Sequence, residues 1–466
     1  MKKHTVDMTK GSIFRHIISF AIPIMIAGVL QTLYNAADTV VVGKFAGKEA
    51  LAAVGSTGSA INLVIGIFVG LSSATNVIVA RKFGAGNKSG VSKAVHTAIA
   101  ACIIGGIALA VMGITFSRKI LILMGSPDDV IDLATLYMRI YFAGIPVTLI
   151  YNYGSAIMRA VGDAKRPTYY LMGAGLINVS LNLLFVIVFK MSVAGVALAT
   201  IIAQCVSAIL VIRSLIKTEE CFKLDIKKIR IHREELREMI VIGIPAGIQG
   251  SLFSLSNVII QSSVNNCGSD VIAGNSAASS IEGMVYIAMN SFFHATLTFT
   301  GQNLGAHRFD RIKKGFWTTF GIELVFGFIL SQLVVLLSPF LLSLYTNSDT
   351  VMGFGKIRIS IICATYFLCG IMEVGSGALR GLGVANRAML TSLIGACGLR
   401  LLMTYLGSPY KKADDLKFLF YSYPISWILT GTALMIFFFI IVRNREREWI
   451  KHKEEGQTAE KEVTLA

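Results

Sequence analysis

The sequence predicts an all-α polytopic membrane protein with twelve transmembrane helices in two pseudo-symmetric six-helix bundles. Three observations carry this. Only 15% of the 466 residues are charged and 54% are hydrophobic, with a mean hydropathy of +0.67, whereas a soluble chain carries about 25% charged residues. Apolar segments of about 18 or more residues, enough to cross a hydrocarbon core of about 30 Å, recur along the whole length. Segments of the first half also return in the second half at a nearly constant distance.

The apolar segments lie near 13–42, 50–79, 92–116, 131–157, 167–189, 193–215, 239–264, 271–300, 315–343, 355–378, 388–407 and 418–442. The first follows basic residues in "MKKHTVDMTKGSIFRHIISFAIPIM" and resembles a signal peptide. Its run is too long and ends without a clear cleavage site, so it reads as a span. Pro23 is expected to kink that span and act as a hinge. The longest polar stretch, Lys217 to Arg237, follows the sixth span. It divides the chain into a lobe at 1–216, a cytoplasmic linker at 217–237 and a lobe with a charged cytoplasmic tail at 238–466. The 44 glycines suit close helix packing in lipid.

Lys and Arg set the orientation. With twelve spans both termini share a side, and 31 of the 43 basic residues lie there. Eleven lie on the other side, among them Arg139, Lys356 and Arg358 at span starts, and Arg400 sits deep in a span. Both termini are therefore expected in the cytoplasm. The net charge of +16 is a topology signal and gives no reason to expect nucleic-acid binding. The seven cysteines (Cys102, Cys205, Cys221, Cys267, Cys363, Cys369, Cys397) form no CxxC pair or metal spacing and read as small apolar packers. No P-loop occurs, which argues against ATP coupling within the chain.

The repeat is explicit. "FAIPIMIAG" at Phe20 matches "IGIPAGIQG" at Ile242. "GKEALAAVG" at Gly47 matches "GSDVIAGNS" at Gly268, and "KFGAGNKSGVSKA" at Lys82 matches "NLGAHRFDRIKKG" at Asn303. "GSAIMRAVGDAKR" at Gly154 matches "GSGALRGLGVANR" at Gly375, and these last three pairs all stand 221 residues apart. Each half has an even number of spans, so the copies share one orientation, as in transporters built from parallel repeats with a site between them.

Charged residues in spans are costly and mark function by default. Asp38 lies 23 residues beyond Arg15, roughly 35 Å along a helix, in the outer part of the membrane. Asn178 and Asn182 share one helix face. Thr200 comes about two turns into the sixth span. These four residues reach similar depths and form a home for a proton or one Na⁺, although Asn178 and Thr200 taken alone fit plain helix–helix bonding equally well. The second half carries Glu282, His294, Glu373 and Arg400. One of the two acids is expected to neutralise Arg400, and His294 to pack through a hydrogen bond. Arg159 and Arg380 hold equivalent repeat positions at cytoplasmic helix ends.

Two six-span halves, "AIP" before "YNAADTVVVG", "GSAIMRAVGDAKRP", "ALRGLGVANR" and "TGQNLGA" together resemble the multidrug and toxic compound extrusion (MATE) transporters over essentially the whole chain. The resemblance implies two six-helix bundles in a V with a central cavity. It implies a secondary antiporter of the cell membrane, not an enzyme, with no cofactor, exporting organic cations or amphipathic drugs in exchange for H⁺ or Na⁺. The family's N-lobe ion site falls on Asp38, Asn178 and Thr200, and the spacing from Pro23 to Asp38 resembles that motif. Archaeal-type members carry Asp where Asn182 stands, so this cluster has one acid fewer. NorM-like members carry an acid in span seven, and this chain has none there. H⁺ is the expected coupling ion, with Na⁺ the alternative, and the protein is expected to act as a monomer.

A lipid-linked oligosaccharide flippase of the same superfamily would need a strongly basic cavity, and only Arg400 is deeply placed. An intramembrane enzyme would need a nucleophile dyad or clustered His and acids at one depth, and the acids here are scattered. A channel would not need two divergent halves.

Overall fold

The computed structural model describes residues 5–125, 127–265, 267–407 and 416–465, and every regular element among them is a helix. The first half contributes α1 (Ile13–Phe45), α2 (Lys48–Gly84), α3 (Lys88–Leu123), α4 (Asp128–Ala160), α5 (Lys165–Leu183) and α6 (Ser192–Lys217). A π-helical turn, Leu184–Val188, extends α5. The second half contributes α7 (Arg233–Asn265), α8 (Ser269–Gly305), α9 (Phe309–Leu336), a short α10 (Ser338–Ser343), α11 (Asp349–Ile361), α12 (Phe367–Gly381), α13 (Ala385–Ser392), α14 (Leu399–Leu406) and α15 (Leu416–Leu465). Among the described residues ten helices are long and apolar enough to cross a membrane, and α11 with α12, bent by 46° at their junction, makes an eleventh. The 37-residue α8 fills the place of the remaining expected segment. Asp270, Glu282 and His294, with Ser, Thr and Asn spread along it, leave it outside those ten.

The repeat reaches into the backbone. Both ends of α8 and the start of α9 lie 221 residues beyond those of α2 and α3. Three left-handed residues, Gly47 (φ 94°), Gly86 (φ 70°) and Gly162 (φ 86°), return as Gly268 (φ 102°), His307 (φ 53°) and Gly383 (φ 77°). At His307 a side chain occupies a conformation that costs an L-residue roughly 1–2 kcal/mol. Its ring stacks on Trp449, with centroids 5.5 Å apart, which offsets part of that cost.

Two compact units emerge. One holds the chain up to Val6, then Ile18–Val79 and Asn87–Val258; the other holds Asp7–Ile17, Ala80–Gly86 and Ile259–Ala466. The polar stretch after α6 therefore packs with the first unit. The Asp225 N–H donates to His96 Nε2 at 3.1 Å, and the His232 N–H donates to Thr97 Oγ1 at 3.1 Å. Inside this unit, backbones meet where glycines leave room. A Cβ on Gly70 of α2 would lie 2.4 Å from the Gly243 carbonyl of α7, and one on Gly106 of α3 would lie 2.8 Å from Pro146 Cα of α4. α1 runs unbroken through Pro23, whose carbonyl accepts from Thr168 Oγ1 of α5 at 3.0 Å.

The second unit packs α12 on α8 by the same device, with Gly377 against the Phe293 carbonyl and Gly381 against the Leu297 carbonyl, each 2.7 Å from the added Cβ. Residues Asp7–Ile17 dock on it. The Met8 N–H donates to Gln302 Oε1 at 2.9 Å, and Arg311 donates to the carbonyls of Met8 at 3.0 Å and Gly11 at 3.1 Å.

Candidate functional site

Three helices of the first unit assemble the polar cluster. Gly175 lets α5 lie against the Tyr34 ring of α1, and the Tyr34 hydroxyl donates to the Met172 carbonyl at 3.4 Å. One turn further along α1, Asp38 accepts from Asn182 Nδ2 of α5. The same amide nitrogen lies 3.4 Å from Asn178 Oδ1. Asn178 Nδ2 donates to Thr200 Oγ1 of α6 at 3.3 Å, and the Thr200 hydroxyl donates to the Val196 carbonyl at 3.0 Å. Asn178 and Asn182 are buried, while Asp38 and Thr200 are half-buried. The four residues selected from sequence thus form one directed chain, in which every donor points at a neighbour's oxygen.

Beside this chain lies a small cavity of about 50 Å³, space for a few waters. Gln31, Asn35 and Gln204 line it together with Asp38, Asn178 and Thr200. Asn182 Oδ1 and Gln204 Oε1 are buried and have no hydrogen-bond partner among the described residues. Gln204, one turn beyond Thr200, was missed from sequence because a helical Gln is ordinary; its i, i+4 spacing from Thr200 was the available signal.

In the second unit the expected ion pair is corrected. Glu282 does not hold Arg400; it accepts a bidentate pair from Arg358, Nε to Oε1 and Nη2 to Oε2, both at 2.7 Å. Arg358 Nη1 also donates to Asn275 Oδ1 at 2.7 Å, and Asn275 Nδ2 donates to Gln261 Oε1 at 2.8 Å. Arg358 is only 6% exposed, because it lies on α11 facing α8 rather than at a wet span start. Arg400 donates to Ser426 Oγ at 2.8 Å and faces the rings of Tyr423 and Trp427 at 4.3 and 5.4 Å. Cation–π contact and a hydroxyl thus do the work expected of a carboxylate.

Glu373 is half-buried on α12, one turn from Gly370. His294 is half-buried, with its ring edge-on to Phe293 at 5.1 Å. Neither joins the Glu282–Arg358 pair. Glu323 on α9 was overlooked from sequence. It is fully buried, neither carboxyl oxygen has a hydrogen-bond partner among the described residues, and Oε1 fills the notch left by Gly370. An acid inside "GIELVFGF" was the signal.

The repeat is unequal at the cluster. Residues 221 and 222 beyond Asp38 are Ile259 and Ile260, and the residue 222 beyond Asn178 is Arg400. The second half therefore has no copy of the acid.

Comparison with known proteins agrees with this architecture. The family model MatE matches twice, over residues 23–184 and 245–406, once in each half. The "Probable multidrug resistance protein YoeA" of Bacillus subtilis (strain 168) is 27% identical over 420 residues, covering 88% of this chain and 90% of that protein. The "FAD transporter" of Shewanella oneidensis is 25% identical over 436 residues, covering 91% of this chain and 94% of that protein. A solved structure described as the outward-facing conformation of a multidrug resistance MATE family transporter of the MOP superfamily superimposes with a TM-score of 0.89 at 20% identity. That match covers 95% of this chain and 99% of that one.

Proposed function

The chain belongs to the MATE family of membrane transporters, and on that premise we propose that it exports small organic compounds, mostly cationic or amphipathic, in exchange for a proton taken up at Asp38. The observation that carries this reading is the directed chain from Asn182 through Asn178 to Thr200. Its donors already occupy the Asn178 and Thr200 oxygens. A bound Na⁺ would draw on the unpartnered Asn182 Oδ1 and Gln204 Oε1 and need the Asn178 and Thr200 oxygens turned toward it; a proton needs only one oxygen of Asp38. Protonation removes the only charge in the cluster and weakens the charge-assisted bond from Asn182. The outer part of α1 is then free to repack about Pro23, and drug leaves as the ion enters.

Both termini are placed in the cytoplasm and the protein in the plasma membrane, in line with the 31-to-11 distribution of basic residues. The two halves of the repeat, 1–216 and 238–466, alternate access as a monomer, with 217–237 as the connection and with α7 as far as Val258 packed in the first unit. The similarity to an FAD transporter supports a second reading, in which the cargo is a dinucleotide.

The test is efflux from proteoliposomes loaded with ethidium or with FAD. An imposed pH gradient without Na⁺ is compared with an imposed Na⁺ gradient at equal pH. We expect ethidium exchange with the pH gradient alone and its loss in Asp38→Asn, which should still fold. Transport driven only by Na⁺, and lost in Asn182→Ala, would overturn the proton assignment; FAD movement without ethidium movement would overturn the cargo.

A further inference from the structure

We propose that an anionic phospholipid occupies the groove between α4 and α6, its acyl chain on the isoleucines of α6 and its phosphate at Arg213 and Lys217. The groove measures about 450 Å³, within the range of roughly 300–1,000 Å³ that small-ligand sites occupy. Val147 and Ile150 of α4 form one wall, and Ile209, Ile212 and Ile216 of α6 form the other. Ile209 is 64% exposed. Both helices are long and apolar enough to cross a membrane, and a groove walled by valine and isoleucine suits a lipid tail.

The groove's polar end is what selects a lipid class. Arg213 and Lys217 line that end, four residues apart on one helix face. Both are exposed, and neither meets a carboxylate within ion-pair distance among the described residues. Glu220, three residues beyond Lys217, accepts instead from Thr5 Oγ1 at 3.3 Å, and its own N–H donates to Thr218 Oγ1 at 3.3 Å. α6 ends at Lys217 and the polar stretch begins at Thr218, which puts the two cations at headgroup depth. An apolar trough ending in two unpaired cations complements a phosphate-bearing amphiphile, and basic pockets between spans recognise anionic headgroups by this chemistry. A zwitterionic lipid would bring its own cation to the same spot and lose the advantage. Lys217 also suits the C-terminal end of a helix dipole, but that role is indifferent to which lipid is present.

The test titrates the purified full chain in detergent with phosphatidylglycerol and with phosphatidylcholine of identical acyl chains, counting retained lipids by native mass spectrometry. Two basic residues at about 1 kcal/mol each should favour phosphatidylglycerol by roughly 30-fold, at a decade per 1.4 kcal/mol. Arg213→Ala with Lys217→Ala should erase that preference while leaving phosphatidylcholine binding as it was. Ile209→Trp, which fills the groove, should weaken both lipids. All three substituted positions are exposed, so these variants should fold. Equal retention of the two lipids by the unmodified chain, or a preference that survives in the double variant, would overturn the proposal. So would an Ile209→Trp variant that holds phosphatidylglycerol as tightly as before.

Discussion

Replacing Gly175 by Ala should uncouple transport without touching any polar residue. A Cβ at position 175 would fall 1.8 Å from Tyr34 Cε2, 2.2 Å from Cδ2 and 2.4 Å from Cζ. To reach 3.4 Å, the near edge of ordinary contact, the ring must retreat by about 1.6 Å. The ring is tied to α5 by its hydroxyl's bond to the Met172 carbonyl, so it either swings aside at the loss of that bond or pushes α1 away from α5. Asp38 stands one turn from Tyr34, and Asn178 and Asn182 stand one and two turns from Gly175, on the same faces. A displacement of α1 therefore opens the Asp38–Asn182 hydrogen bond. Overpacking of this kind costs about 1–3 kcal/mol, visible as a lower thermal midpoint in detergent. Proton-driven efflux in proteoliposomes should fall roughly tenfold to a hundredfold, the scale on which ångström misplacements act. Tyr34→Ala removes the ring, so the double variant should recover a large part of both losses, a coupling of about 0.5–3 kcal/mol. A Gly175→Ala protein with normal stability and normal exchange, or a double variant no better than the single one, would refute the reasoning.

Glu282→Gln should leave the Arg358 guanidinium buried without its counter-charge and cost about 3–5 kcal/mol in thermal unfolding, by analogy with buried pairs in soluble proteins; Glu282→Gln with Arg358→Met should be the more stable protein. Outside the membrane, burial holds the His232 imidazole below its ordinary range, and the neighbouring Arg230 adds to this. Its Nε2 accepts from Arg230 Nε at 3.0 Å, so the fold favours the neutral ring. The contribution is complete above the unfolded value of about 6.5 and is lost as pH falls through and below it. Protection factors over 218–232, taken relative to the intrinsic exchange rate at each pH, should therefore fall between pH 7.5 and pH 5.5, and His232→Gln should flatten that response.

Much of this was legible in the sequence because lipid makes polarity expensive. Asp38 announced itself as a lone acid in an apolar run, and the spacing of Asn178 and Asn182 fixed their common face. The repeat could be read because helix ends and left-handed turns recur at one offset. What escaped depended on which neighbour a helix face meets. Arg358 looked like a span-start cation, yet it lies on the face of α11 that packs against α8, and Glu282 is its partner. Arg400 found aromatic rings and Ser426, a solution that spacing along the chain does not reveal. Glu323 is accommodated by a glycine 47 positions away in sequence, a complementarity visible only in three dimensions.

The isoleucines that stand where the second half would repeat Asp38 bear on the energetics of exchange. Two backbones of one design are electrically unequal, because the cluster's carboxylate exists in one copy only. If each cycle protonates that single carboxylate, one elementary charge crosses inward. A monovalent organic cation travelling outward cancels it, so the exchange is electroneutral. Membrane voltage, about 2.3 kcal/mol per charge per 100 mV, then does no work on such a cargo. The concentration ratio it can reach is set by the pH difference alone, about tenfold per pH unit. A neutral amphiphile carried by the same cycle would gain the voltage as well, and would be expelled more steeply from an energised cell than a cation of equal affinity.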